Sequence, residues 1–419
     1  MTACGVGMAG QRRAGTLRAF GVPEFQLVWL AGLLSVAGDQ LARVALTILV
    51  FQRTDSAAWS AATYALSMLP ALISGALLSW LADRFPRRLV MVACDVTRAA
   101  LVAVMAVPAV PLWLLAVLLV LVQLFEAPFS AAQGAVLPEM LGARYEAGQA
   151  VLQVTTQLCL VLGFAAAAFV VVGVGAHTAL AIDAVTFAVS AVLIQAGLGP
   201  YPPGADGDGG PVIVSGWHRV AAGAVLVAKD RRLRTLVWLG WLALFTVVPE
   251  GLAVPFAQQV GAAGGWIGVI LAAEPAGAVV GALLLRLVPR RARVRALGIL
   301  AVGTSVPLLA YWAQPGLGMA LALLFVSGLC SAYQVTAGAT FVQLTPPSVR
   351  GRALGFARTG MIAGQGIGVV LGGVLAQQVG AVTAIAWAGT AGALVALAAA
   401  AVWSRREPAA ISAVLPAES

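Results

Sequence analysis

The sequence predicts an all-α integral membrane protein with twelve transmembrane helices in two six-helix halves. Three observations predict it. The hydrophobic set makes up 61% of the 419 residues and the charged set only 10%, against roughly 45–50% and about 25% in soluble globular domains. Twelve apolar runs each exceed the ~18 residues that mark a membrane span. Finally, those runs fall six and six around one polar break. With a mean hydropathy of +0.96, an ordinary water-soluble enzyme is excluded.

The first six runs begin near Gln26, Trp59, Leu89, Leu112, Gly148 and His177, and the second six near Leu233, Trp266, Val294, Gly316, Ala353 and Val382. Gly or Pro punctuates most of their ends, as helix boundaries require. The break opens with Y-P-P-G-A-D-G-D-G-G-P from Tyr201, a flexible polar composition, and continues through Val212 to Lys229 as a candidate surface helix. The expected organisation is therefore an N-terminal half at 1–199, a cytoplasmic linker at 200–232, a C-terminal half at 233–404 and a tail at 405–419. The N-terminal tail shows no short apolar core with a cleavage site, so no removable signal peptide is expected.

Orientation follows from the basic residues. With the N terminus placed in the cytoplasm, 21 of the 25 Lys and Arg residues fall in inside segments, and the outside connections contain only Arg53. Because basic loops stay on the cytoplasmic side, both termini are expected there, in a multi-pass plasma-membrane protein. The net charge of +9 is spread over short loops and makes no basic domain, so the partner it implies is the lipid bilayer and not nucleic acid. Trp59, Trp80, Trp113, Trp266, Trp312 and Trp403 lie near span ends, where amphipathic rings favour the interface. The four cysteines are far apart, and His177 and His218 differ in setting, so neither a disulfide framework nor a metal site is expected. No Walker-type phosphate loop occurs, which argues against ATP as energy source, and no cofactor is called for. A monomer is expected.

The halves repeat weakly. L-A-D-R-F-P-R-R at 81–88 follows the second run, and L-L-R-L-V-P-R-R at 284–291 follows the eighth. Parallel repeats with a site between them at the midplane build one large class of secondary transporter.

On these residues the chain resembles the major facilitator superfamily over essentially its whole length. Ser79, Asp83, Arg84, Pro86, Arg87 and Arg88 occupy the places of the family's G-x-x-x-D-R-x-G-R-R/K connection, with Ser79 and Pro86 replacing its two glycines. S-V-A-G-D-Q in the first run and I-D-A-V-T-F-A-V-S-A from Ile182 are similar to the bacterial branch of siderophore and drug exporters, including enterobactin exporters and macrolide efflux proteins. The fifth run reads G-F-A-A-A-A from Gly163, where proton-antiporting drug exporters often have G-P-x-x-G-G. The resemblance implies the major facilitator fold, alternating access, and a cytoplasmic gate built on Asp83, Arg84, Arg87 and Arg88 with Arg350, Arg352 and Arg358 near the eleventh run.

Ionisable side chains inside spans are costly and usually face the bundle interior. Asp39 and Arg43 are four apart on one helix face, either as a structural ion pair or as a proton or substrate site. Glu250, in V-P-E-G-L-A-V-P, lies between two prolines that free backbone carbonyls and reads as a substrate or proton site. Glu274, beside Pro275, has the same character or serves helix packing. Asp95 and Arg98 are three apart and join the gate set with Glu126, which either pairs with Arg98 or contacts a ligand. Asp183 reads as structural, close to the outer surface. Tyr333, Gln334 and Gln365 offer hydrogen bonds to a ligand or between helices, with equal weight.

The expected function is a secondary transporter that exports a small organic molecule (a drug, antibiotic or siderophore-like compound), coupled to proton entry and without enzymatic activity. The alternatives are an uptake symporter or uniporter for a nutrient, and a non-transporting membrane sensor.

Overall fold

The computed structural model describes residues 20–405 apart from 71–72, 75–77, 79–80, 202–211, 263 and 347–348, and of 82, 83, 143 and 212–220 the backbone only. Among the described residues all regular structure is helical. The helices are α1 (Pro23–Thr54), α2 (Ala57–Leu66), α3 (Arg87–Met105), α4 (Leu112–Leu141), α5 (Tyr145–Val174) and α6 (Ala176–Gly197). After a linker helix (Val212–Lys229) follow α7 (Arg231–Gly251), α8 (Trp266–Leu285), α9 (Arg290–Ala313), α10 (Leu317–Leu344), α11 (Arg350–Val379) and α12 (Ala381–Ser404). A four-residue helix, Leu81–Arg84, precedes α3.

Ten of these helices are long and apolar enough to cross a membrane. The two expected spans outside that set have identifiable reasons. α2 is described only in part, and α3 holds Arg87, Arg88, Asp95 and Arg98 within 19 residues.

Local chemistry sets the boundaries. Ser56 caps α2 by accepting from the Trp59 N–H at 3.4 Å, and Asp230 caps α7 by accepting from the Arg232 N–H at 2.7 Å, as short polar side chains do. Gly175 separates α5 from α6 at φ 84°, and Gly380 separates α11 from α12 at φ 85°; a side chain would be strained at either. α7 is not smooth: it is broken at Leu242 and Val247, and a further helical stretch, Ala253–Gln259, begins beyond Leu252. Pro249 and Pro255 remove amide donors from this region.

The chain forms two compact units. Unit 1 holds Met1–Ala45 with Ile73–Val212, and unit 2 holds Leu46–Leu72 with Ile213–Ser419. Residues 46–72, which belong to the N-terminal half by sequence order, thus group with the later helices.

In unit 1, α3 packs against α6 and α4 around Val28, Met91, Phe129, Ala132 and Ile194. One end is tied by Arg88 Nη1 to the Leu198 carbonyl at 3.0 Å. The Tyr201 hydroxyl donates to Glu24 at 2.7 Å, and burial, then this bond and the Glu24 charge, push its phenol up to about 12.

In unit 2, α8 packs on α10, α9 on α12 and α2 on α11. Its core includes Leu236, Leu239, Leu297, Tyr333, Phe341 and Trp403, and Val227 of the linker helix joins it. Trp59, Trp113, Trp266 and Trp312 are exposed on the apolar surface, as expected of interfacial anchors. Trp403 is not one of them. It is 1% exposed and its Nε1–H donates to the Val294 carbonyl at 3.1 Å, because the last turn of α12 lies against the start of α9. Trp80 lies outside the described residues.

Candidate functional site

Two buried polar clusters emerge, one in each unit. In unit 1, α1 contributes Ser35 and Asp39, α3 contributes Asp95 and Arg98, and α6 contributes Asp183, Thr186, Phe187 and Ser190. Spacing on α1 alone points to Arg43 as the partner of Asp39. A two-oxygen contact comes from Arg98, whose Nη2 lies 2.8 and 3.0 Å from the Asp39 oxygens. Arg98 is suited to this because its guanidinium rests 4.1 Å from the centre of the Phe187 ring, a cation–π contact that holds the fork in one plane. Its Nη1 reaches Ser35 at 3.4 Å.

Asp95 accepts from the Ser190 hydroxyl at 2.6 Å, which ties α3 to α6. Asp183 accepts from Thr186 at 3.2 Å, while the same hydroxyl lies nearer, at 2.8 Å, to the Asp183 backbone carbonyl. Asp95, Arg98 and Asp183 are all buried. Asp183 reaches α1, where a Cβ at Gly38 would fall 2.1 Å from its Oδ1. A side chain at position 38 would have to displace those of Asp183 and Thr186.

In unit 2, the Tyr64 hydroxyl donates to Glu250. Glu274 lies within electrostatic reach of Glu250 and within hydrogen-bonding reach of Ser331, so α7, α8, α10 and the 46–72 segment all contribute. α8 and α10 approach very closely: a Cβ at Gly328 would lie 1.9 Å from the Glu274 carbonyl oxygen. Close approach through small residues is how helices gain contact area in lipid. Glu250 and Glu274 are half-buried, as are Gln334 and Gln365. Tyr333 is fully buried and donates to the Leu239 carbonyl at 2.5 Å. Of its two expected roles, hydrogen bonding between helices is therefore the one observed, since its polar atom is already occupied in a closed core.

The residues expected to form a gate differ in burial within their own units. Asp95 and Arg98 lie in the buried cluster of unit 1. Glu126 is exposed, yet its charge reaches Arg98. Arg87 pairs with Glu139 and reaches the Ala135 carbonyl at 3.1 Å, so it fastens α3 to α4. Arg84, Arg352 and Arg358 are exposed, and Arg350 is half-buried, with Nη2 3.3 Å from the Thr345 carbonyl. The Asp83 side chain and Ser79 lie outside the described residues.

The sequence profile described as Major Facilitator Superfamily matches residues 28–249 and 233–419. No curated protein matches the chain. Among solved structures, a mutant of peptide transporter POT superposes with a TM-score of 0.72 at 14% identity, covering 93% of this chain and 95% of that one. Nucleoside transporter NupG gives 0.69 at 16% identity, with coverage of 91% and 98%. A POT family transporter in complex with a thioalcohol-conjugated peptide gives 0.70 at 10% identity, with coverage of 91% and 96%. At such identities the likeness is one of fold.

Proposed function

This chain belongs to the major facilitator superfamily, and from that premise we propose that it is a secondary active transporter that exports a small organic molecule by alternating access, driven by proton entry. Membership of this family supports transport. The observation that carries the proton coupling is the carboxylate pair of unit 2. Glu250 stands on an interrupted helix, takes a hydrogen bond from Tyr64 and faces Glu274 across the α7–α8 contact. Two neighbouring carboxylates in a protein interior can share and exchange a proton as their hydration changes. In this reading Glu250 carries the coupling proton, Glu274 tunes it, and the half-buried Gln334 and Gln365 contribute polar contacts to the solute.

The outward direction rests on the similarity of S-V-A-G-D-Q and the Ile182 run to siderophore and drug exporters. The basic-residue partition supports cytoplasmic termini and a plasma-membrane setting, with a monomer as the working unit. The test is a panel of amphipathic, cationic, siderophore-like and peptide- or nucleoside-sized compounds in cells lacking their major pumps, beside inverted membrane vesicles. Export predicts reduced retention in cells and accumulation in energised inverted vesicles. Accumulation in intact cells would reverse the direction, and absence of flux for every compound would remove transport from the account.

A further inference from the structure

Around the buried Arg98 of unit 1, carboxylates are in excess. Four carboxylates act on the buried Arg98: Asp39, Glu126, Asp95 and Asp183. Even with Arg43 of α1 counted, carboxylates outnumber guanidiniums. α5, also packed on α6, has one acidic residue, Glu146, in its first turn and no basic residue. Other polar groups around the cluster are Ser35, Thr186 and Ser190, each with a hydrogen bond described above, and Cys94, next to Asp95 on α3. Among the described residues, the helices around the cluster thus bring it fewer positive than negative groups.

The carboxylates are not equally provided for. Asp39 has both oxygens on Arg98. Asp95 has the short bond from Ser190 on Oδ2, while its Oδ1 is buried with no partner. Asp183 is 0% exposed, has only the longer contact of a hydroxyl that also lies on a carbonyl, and its Oδ2 is buried with no partner. Its other oxygen occupies the space that a Cβ at Gly38 would take. An ionised carboxylate with a bare oxygen in such surroundings costs several kcal/mol, and neutralising it is the usual remedy. Arg98 Nε is likewise buried without a partner, so its pairing capacity is taken up on the Asp39 side only.

We propose that Asp183 binds a proton, which makes the α1–α3–α6 contact a proton-binding site of unit 1, separate from the Glu250–Glu274 pair of unit 2. The bond formed is O–H on the Asp183 carboxyl; the proton comes from solvent and returns to it when α1 and α6 part at Gly38. The site does not depend on the solute or on the direction of transport.

The experiment is infrared difference spectroscopy of the purified full-length protein in lipid nanodiscs, recorded between acid and alkaline pH. The expected result is a component of the protonated-carboxyl C=O signal that disappears at alkaline pH, is lost in Asp183→Asn while the component of the Glu250–Glu274 pair remains, and persists in both Asp95→Asn and Glu250→Gln. Because asparagine imitates the neutral acid, Asp183→Asn should also fold and keep a near wild-type unfolding midpoint at neutral pH. A signal unchanged in Asp183→Asn, or an Asp183→Asn protein that fails to fold, would overturn the proposal. So would loss of that component on adding sodium chloride at fixed pH, which would assign the site to a metal cation.

Discussion

The third and sixth helices of each half make the same pairing with different chemistry. Pro86 and Pro289, 203 positions apart, open α3 and α9, and Gly175 and Gly380, 205 apart, open α6 and α12 with nearly identical backbone angles. By these offsets Asp95 and Arg98 correspond to Gly298 and Ala301, and Asp183, Phe187 and Ser190 to Ala388, Gly392 and Val395. Where α3 and α6 meet through charge, α9 and α12 meet through small residues: a Cβ at Gly392 would lie 2.7 Å from Ser305 Oγ, and one at Gly389 2.6 Å from Leu308 Cβ. A helix pair in lipid can be held by either device. The charged pair is the costlier one, because every charge needs its partner before burial is tolerated.

The difference also separates the two ionisable clusters by what each can do. In unit 1, Asp39 is fixed by a two-point contact to an arginine that is itself stacked on Phe187. In unit 2, Glu250 meets a phenol and a second carboxylate on a helix already interrupted near Pro249. Locked charge suits a scaffold or an exchange of protons at its margin, whereas the second arrangement suits a carrier.

The largest effect expected from breaking this contrast is at Arg98. Arg98→Ala leaves several buried carboxylates without their cation and should cost ~3–5 kcal/mol, read as a lowered unfolding midpoint in detergent, for which the buried thiol of Cys94 is a reporter. Replacing Asp39 and Arg98 together by leucine should recover part of that loss; no recovery would show that Arg98 acts mainly through the other carboxylates. In the small-residue pair, Gly392→Val forces α12 away from Ser305 and Phe245 and should cost ~1–3 kcal/mol by overpacking, while the same assay on Gly134→Val, where a Cβ meets nothing within 4 Å, should show little change. The smallest effect is expected at Trp312→Phe, which removes the exposed bond to Thr390 at 3.1 Å and should cost about 0.5 kcal/mol.

Much of this was legible in the sequence, for reasons that particular residues illustrate. α4 and α8 begin at Leu112 and Trp266 as the apolar runs imply, because span length and hydropathy are local properties. The interior placement of Glu250 was legible too, since no helix of that composition puts a carboxylate elsewhere without reason. The contact of Asp39 with Arg98 was not. Periodicity relates residues within one helix, so it offers Arg43, whereas Arg98 is 59 positions away and is brought near only by the packing of α3 against α1 and α6. The approach of Asp183 to α1 escaped for the same reason: nothing local says that Gly38 leaves room for it. Tyr333 and Trp403 carry polar atoms that equally suit a ligand, the interface or another helix, and only tertiary contact decides among them.

The central claim is that Glu250, and not the arginine-bound Asp39, carries the coupling proton. Glutamine at 250 keeps an oxygen to accept from Tyr64 but cannot exchange a proton, so the comparison isolates the chemistry from the packing. In proteoliposomes, Glu250→Gln should abolish solute flux driven by a pH gradient while retaining solute exchange without a gradient. Driven flux at the wild-type level in that variant would contradict the account.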